Sequence, residues 1–209
     1  MTDDRDTLIA ELVDAGRHVV DRGLVQASGG NLSVRLPGTD RFLVTGSGTW
    51  LDRLTSGDLA EMTLDGERRA GADRPSLEWR LHQRTYAVRP DVGAIVHLHP
   101  QYVLLLDMLG VPIRFTTLDH QYYLGSAGWV PFLPSGSDAV ADAAAAAARD
   151  QNAVVLAHHG CSALGDSVSM ALRRALNLEE AATMTYRLHV AGNTTADFPR
   201  EWKGNILSV

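Results

Sequence analysis

Two short apolar runs that each end in histidine constrain this chain more than any other feature. Val92-Gly-Ala-Ile-Val96 leads into His97 and His99, and Ala153-Val-Val-Leu-Ala157 leads into His158-His159-Gly160. The first run is short, β-branched and bounded by Pro90-Asp91 and Pro100, which predicts a buried strand. Strand side chains alternate between faces, so His97 and His99 project together from one strand end. Two imidazole nitrogens are presented to one divalent cation in this way. The second run predicts another strand, and a histidine at its end would complete a three-histidine set. As neighbours on a strand, His158 and His159 face opposite ways, so at most one joins the set. His159, beside Gly160, is the favoured one, leaving His158 a buried, hydrogen-bonded role.

The rest of the chain alternates helical and strand-like patterns. Asp6 to Asp21 carries apolar residues at helical spacing and stops near Gly23. Leu32–Leu36 and Phe42–Thr45 read as paired strands, followed by short strand-like pieces at Leu59–Met62 and Glu67–Ala70. Pro75-Ser76 predicts a helix start, with the helix running to about Val88. Further helices are expected at 100–109, 135–149 and 167–190, with an irregular stretch around Tyr122-Tyr123 and a strand near Trp129–Leu133. No linker or internal repeat interrupts this order, so one α/β layered domain over 1–209 is expected.

Composition narrows the function. Apolar residues make up 45% and charged residues 21% of the 209, which describes a globular chain. The formal charge is −6 and the arginines are scattered, which argues against nucleic acid as a partner. No signal-peptide pattern or membrane-spanning run is present, and the lone Cys161 fits a reducing cytoplasm. The only lysine, Lys203, lies among Arg200, Glu201 and Gly204, a poor setting for Schiff-base chemistry. Carbonyl chemistry here would call for a metal electrophile.

Other candidates read two ways. Glu78 is either a carboxylate near the metal or a first-turn glutamate favoured by the helix dipole, and taken alone the second reading is stronger. His82, one turn later, suits packing or support better than ligation. His18, His120 and His189 read as helix or loop histidines, and Cys161 as a small buried residue. The turns Ser28-Gly29-Gly30-Asn31 and Thr45-Gly46-Ser47-Gly48 offer N–H groups and hydroxyls to an oxyanion, or serve only as connections. Neither is a Walker loop or a dinucleotide fingerprint. A cupin would place a glutamate soon after His-x-His, and 100–106 has none. An amidohydrolase barrel would need a longer chain.

The ordered set Gly30-Asn31-Leu-Ser33-Val-Arg35, Thr45-Gly46-Ser47-Gly48, Leu54-Thr55-Ser-Gly-Asp58, Arg74-Pro75-Ser76-Leu77-Glu78, His97-Leu-His99 and His158-His159-Gly160 resembles the class II aldolase/adducin-head family. The resemblance implies a three-layer α/β/α domain around a mixed sheet, and a homotetramer with sites between subunits. It implies one divalent metal per subunit on His97, His99 and His159, most often Zn2+, with Mn2+, Co2+ or Fe2+ as alternatives. Glu78 would be ligand or catalytic acid/base. Ser28, Gly30, Asn31, Thr45, Gly46, Ser47 and Ser76 would line the substrate's anion pocket.

Two departures qualify it. Leu77 stands where phosphate-using relatives often carry a second serine, which points to weak phosphate binding or a carboxylate instead. The family's catalytic tyrosine, supplied by a neighbouring subunit, has no unambiguous match; Tyr122 and Tyr123 are nearest, and 197–209 contains no tyrosine. The expected activity is a metal-dependent lyase making or breaking a C–C bond in a hydroxy-carbonyl small molecule through a metal-stabilised enediolate. Decarboxylation, dehydration or epimerisation of an unphosphorylated hydroxy or aromatic acid is the alternative. A non-enzymatic adducin-like scaffold need not keep the three histidines and the acid.

Overall fold

The structure, a computed structural model, describes residues 2–203. Residue 1 and residues 204–209, the ends of the expected 1–209 domain, lie outside the described residues. Eight strands form one mixed sheet: β1 (Asn31–Arg35), β2 (Arg41–Thr45), β3 (Leu59–Thr63), β4 (Arg68–Gly71), β5 (Ala94–Leu98), β6 (Gly128–Val130), β7 (Ala153–Leu156) and β8 (Gly160–Gly165). Their order is β4-β3-β2-β1-β5-β8-β7-β6. Only β6 and β7 pair parallel; every other neighbouring pair is antiparallel.

Helices cover both faces, because alternate residues of each central strand are apolar on both sides. On one face Leu32, Val34, Val96, Leu98 and Ala163 pack against α1 (Thr2–Asp21) and α6 (Val168–Val190). On the other, Phe42, Val44, Ile95, Val154 and Leu164 meet α2 (Trp79–Val88) and α5 (Asp138–Ala147). α3 (Gln101–Leu109) packs with α6 over Val155 and Cys161. This is the expected three-layer arrangement.

Local chemistry changes some expected elements. The stretch around Tyr122-Tyr123 is a short helix, α4 (Leu118–Tyr123), capped reciprocally by Thr117 and His120. His120 is fully buried: its Nδ1 accepts the amides of Thr116 and Thr117, and its Nε2 faces Glu180. β8 was not expected at all. Cys161 is fully buried on it, and burial, then the nearby Glu179 charge, push its thiol above the ordinary range. The native protein should therefore leave a chromogenic thiol reagent unreacted until denaturant unfolds it.

Candidate metal centre and active site

β5 sends Ala94, Val96 and Leu98 toward α1 and α6, so Ile95 and His97 point the other way, toward α2. His99 follows just past the strand end. Glu78 directly precedes α2, which begins at Trp79 and not at Ser76 as expected. The Glu78 carboxylate makes no cap bond to its own helix. It reaches into the histidine cluster instead, so the dipole reading does not account for it.

His158 and His159 lie in the turn between β7 and β8, not on a strand. Strand alternation therefore does not decide which ring faces the site. His158 takes a left-handed backbone, φ 57°, and its ring is exposed, which corrects the buried role expected for it. Asp107 holds this turn from α3: its carboxylate accepts the His158 amide at 2.8 Å and the Trp129 indole N–H at 2.9 Å. The turn directs His159 inward.

Glu78, His97, His99 and His159 each offer a ligand atom, all within 4.8 Å of one another. Glu78 Oε2 lies 3.0 Å from His97 Nε2, and Oε1 lies 3.1 Å from His159 Nε2. His99 Nε2 is 3.3 Å from His97 Nε2. Three imidazoles and a carboxylate converging this way fit a borderline divalent cation such as zinc. Glu78 and His97 are buried while His99 and His159 are partly open, so the cluster faces solvent on one side. Behind it, Ser162 Oγ meets His97 Nδ1 at 3.2 Å, a contact that leaves Nε2 for the cluster.

The electrostatics agree with that donor set. Burial works to raise the Glu78 pKa, but the charge of His97, hydrogen bonds with His159 and His97, and the charge of His159 outweigh it. The carboxyl is held well below the usual range. Burial, then repulsion from His97 and His159, pushes His99 down to about 4, so at neutral pH it is an uncharged nitrogen donor. Asn31 Nδ2 and Ser135 Oγ each donate to the Glu78 carboxylate at 3.0 Å. Ser135 and Ser162 were missed by sequence reading. Ser162 could have been found from its place two residues after Gly160, on the same side of β8.

The expected anion segments do converge near Glu78. The Ser76 amide bonds Thr45 O at 2.9 Å, Gly46 bridges Pro75, and Asn31 touches Glu78. The donors differ from expectation. The amides of Gly46, Ser47 and Ser76 are already bonded to backbone carbonyls, and Thr45 Oγ1 accepts the Leu32 amide. These three amides are therefore not free to bind an anion. Ser76 Oγ accepts the Glu78 amide at 3.2 Å and keeps its own proton to donate. Ser28 and Gly30 flank the turn that approaches the site: a Cβ on Gly29 would lie 3.1 Å from His99 Nδ1.

Leu77 is 67% exposed although Ser76 and Glu78 on either side are buried. Within one chain it is thus not an apolar neighbour forced against a buried anion, so its exposure gives no support to the weak phosphate binding expected from it. Leu77→Ser should shift the affinity for a sugar-phosphate analogue by no more than about threefold in calorimetric titration, as exposed substitutions do.

Tyr122 and Tyr123 are not brought to the cluster within one subunit. Tyr123 receives Arg173 Nη1 on its hydroxyl at 3.4 Å and Arg174 Nε on its carbonyl at 3.0 Å; Tyr122 is exposed and edge-on to Tyr123. Among the described residues no tyrosine contacts Glu78 or the three clustered histidines.

Residues 10–186 match the family model described as class II aldolase and adducin N-terminal domain. The chain belongs to that family. It is 36% identical over 84% of its length to a 5-methylthioribulose-1-phosphate/5-deoxyribulose-1-phosphate aldolase of Rhodospirillum rubrum, covering 79% of that protein. It is 33% identical over 85% of its length to a 3-oxo-tetronate 4-phosphate decarboxylase of Haemophilus influenzae, covering 86% of it. Among solved structures, the L-fuculose-1-phosphate aldolase of Thermus thermophilus superposes with a TM-score of 0.80 at 31% identity, over 88% of this chain and 95% of that one. Relatives within the family thus include both aldolases and a decarboxylase, and this chain has the fold of the class II aldolases.

Proposed function

We propose that this class II aldolase-family protein is a metal-dependent lyase that cleaves or forms a C–C bond in a small hydroxy-carbonyl substrate, with Glu78 moving the proton. The observation carrying this is the convergence of Glu78, His97, His99 and His159 at the open end of the sheet. These four would hold one divalent ion, zinc by donor chemistry, which when bound supplies a Lewis acid for the substrate's carbonyl oxygen. The chain's own groups do the rest. Asn31 and Ser135 fix the Glu78 carboxylate by donating to its two oxygens. Glu78 accepts a substrate hydroxyl proton as the C–C bond breaks, or returns a proton to carbon. The Ser76, Ser47 and Ser28 hydroxyls lie on the segments that would meet the substrate's anionic end. Two of the relatives named above act on phosphorylated ketoses, so a ketose 1-phosphate is the first substrate to try.

Decarboxylation is the second reading. Cleavage to an aldehyde needs one proton removed from oxygen and another delivered to carbon. Loss of CO2 needs only the second. The 33% identity to a 3-oxo-tetronate 4-phosphate decarboxylase is what favours testing this simpler demand beside the first. The choice is settled by measuring metal content and then assaying 5-deoxyribulose 1-phosphate, fuculose 1-phosphate and 3-oxo-tetronate 4-phosphate for aldehyde and for CO2. Aldehyde from a ketose phosphate supports the first reading and CO2 from the oxo-acid the second. Metal-free protein with no turnover, even after metal addition, would favour a scaffold.

A homotetramer in a reducing cytoplasm completes the proposal. No helix among the described residues is long and apolar enough to cross a membrane. Met108, Leu118, Tyr122, Trp129 and Phe132 are large, apolar or aromatic and exposed around α3, α4 and the edge strand β6, a surface suited to subunit contact. Light scattering at micromolar concentration should report four chains; one chain would refute the assembly.

A further inference from the structure

A line of buried polar groups runs back from Glu78 into the protein. Asn31 Nδ2 lies 3.0 Å from Glu78 Oε2, and Asn31 Oδ1 contacts His82 Nε2. His82 Nδ1 lies 2.7 Å from Ser33 Oγ, which lies 2.8 Å from the Tyr86 hydroxyl. The sheet and one helix build this line. Asn31, Ser33 and Arg35 alternate on the β1 face toward α2, and Glu78, His82 and Tyr86 recur at four-residue spacing from the cap of α2 onward. His82 and Ser33 are fully buried, and Asn31 and Tyr86 nearly so. The Arg35 guanidinium lies 4.7 Å from the Tyr86 ring centre and donates to the Tyr86 carbonyl at 2.7 Å, closing the inner end.

Donor and acceptor chemistry permits one direction along this line. An ionised carboxylate only accepts, so the Asn31 NH2 faces Glu78 and its carbonyl faces His82. A carbonyl only accepts, so His82 carries its proton on Nε2. Nδ1 is then an acceptor, which makes Ser33 its donor and Tyr86 the donor to Ser33. Every group is satisfied, each donating toward Glu78.

We propose that His82 is a positioning residue that acts on Glu78 through Asn31. Its Nε2–H tautomer locks the amide with NH2 toward the carboxylate, and Ser33, backed by Tyr86, locks the tautomer. Without that lock the amide can turn its oxygen toward the carboxylate, setting acceptor against acceptor in a buried site. Packing alone does not call for this arrangement, since buried polar groups cost stability unless each finds its partner. Burial, then repulsion from His97, also pushes His82 down to about 3 against the opposing pull of Glu78, so the ring stays neutral. Only the catalytic consequence rests on the reading of Glu78 as the proton-moving group.

The test is nitrogen-15 NMR of the zinc-loaded protein, read alongside turnover of the substrate panel. The His82 ring should show the neutral Nε2–H tautomer without change from pH 5 to 8. Ser33→Ala should release it to a mixture of tautomers. The Asn31 side-chain amide protons should be slow to exchange in wild type and in His82→Gln, which keeps a donor and an acceptor. They should exchange about tenfold or more faster in His82→Leu. Turnover should fall about 10–100-fold in His82→Leu with KM within about threefold, and His82→Gln should recover most of it. A wild-type Nδ1–H tautomer, a ring that titrates in this range, or an Asn31 amide indifferent to His82→Leu would overturn the proposal. The wild-type spectrum decides even if a variant fails to fold, and all resonances are read independently of which substrate, if any, turns over.

Discussion

Glu78→Gln should leave a folded protein whose turnover is lower by about 10²–10⁴-fold, the usual cost of removing a general acid/base. The amide has the same shape: its oxygen can accept from Asn31 while its NH2 donates to the Ser135 hydroxyl, which then acts as acceptor. It cannot take a proton at neutral pH. Steady-state rates on protein of matched metal content measure the loss, and near-wild-type rates would show that the carboxylate does not move the proton. The same variant has a stability signature. In the metal-free protein the Glu78 carboxyl is held below its ordinary value of 4.5. A depressed carboxyl contributes stability that is full above the unfolded value and is lost as pH falls through the folded one. Wild type should thus lose stability on acidification below about 4.5, and Glu78→Gln should lose less over the same range. Thermal melts from pH 7 to 3 measure both slopes.

Much of this site was legible because strand geometry is local. The two-residue period put His97 and His99 together, and the structure keeps both rings in the cluster. Other parts depend on contacts between residues far apart in sequence. β8 reads Gly160-Cys-Ser-Ala-Leu-Gly165, with no β-branched residue, and it becomes a strand by pairing with β5 and β7. Missing β8 turned the His158-His159 turn into an imagined strand end and gave His158 a burial it does not have. The Glu78 side chain was ambiguous for the same reason. A residue just before a helix can serve the helix or leave it, and only the packing of α2 on the sheet brings Glu78 to His97 and His159. The N–H groups of Gly46 and Ser47 go instead to the carbonyls of Asp58 and Arg74, partners that no turn pattern names. Tyr122 and Tyr123 are expected to serve a neighbouring subunit, and within one chain α4 sets Tyr123 beside Arg173 and Arg174.

Gly160→Ala should dismantle the centre without altering any ligand. A Cβ there would lie 2.2 Å from Leu98 O and 2.6 Å from His99 Cδ2. Leu98 belongs to β5, paired with β8 on one side and β1 on the other, so its carbonyl cannot yield. The His99 ring can yield only by leaving the position that faces His97. The alternative is for the β7–β8 turn to lift away, which carries His159 with it. Either movement removes at least one of the four converging groups. Metal affinity should fall by at least the ~10–100-fold typical of disturbed supporting residues. Overpacking should also lower stability by about 1–3 kcal/mol. Gly57→Ala is the matched control, because the nearest neighbour of its Cβ would be Thr55 Oγ1 at 3.7 Å, an ordinary contact. Zinc competition titrations and thermal melts on both variants separate a local effect from a general intolerance of added methyl groups. Wild-type zinc affinity in Gly160→Ala would mean that the turn can shift while His99 and His159 keep their places. The close approach of Gly160 would then be a packing detail, and His159 would owe its position to the Asp107 contact that holds the turn from α3.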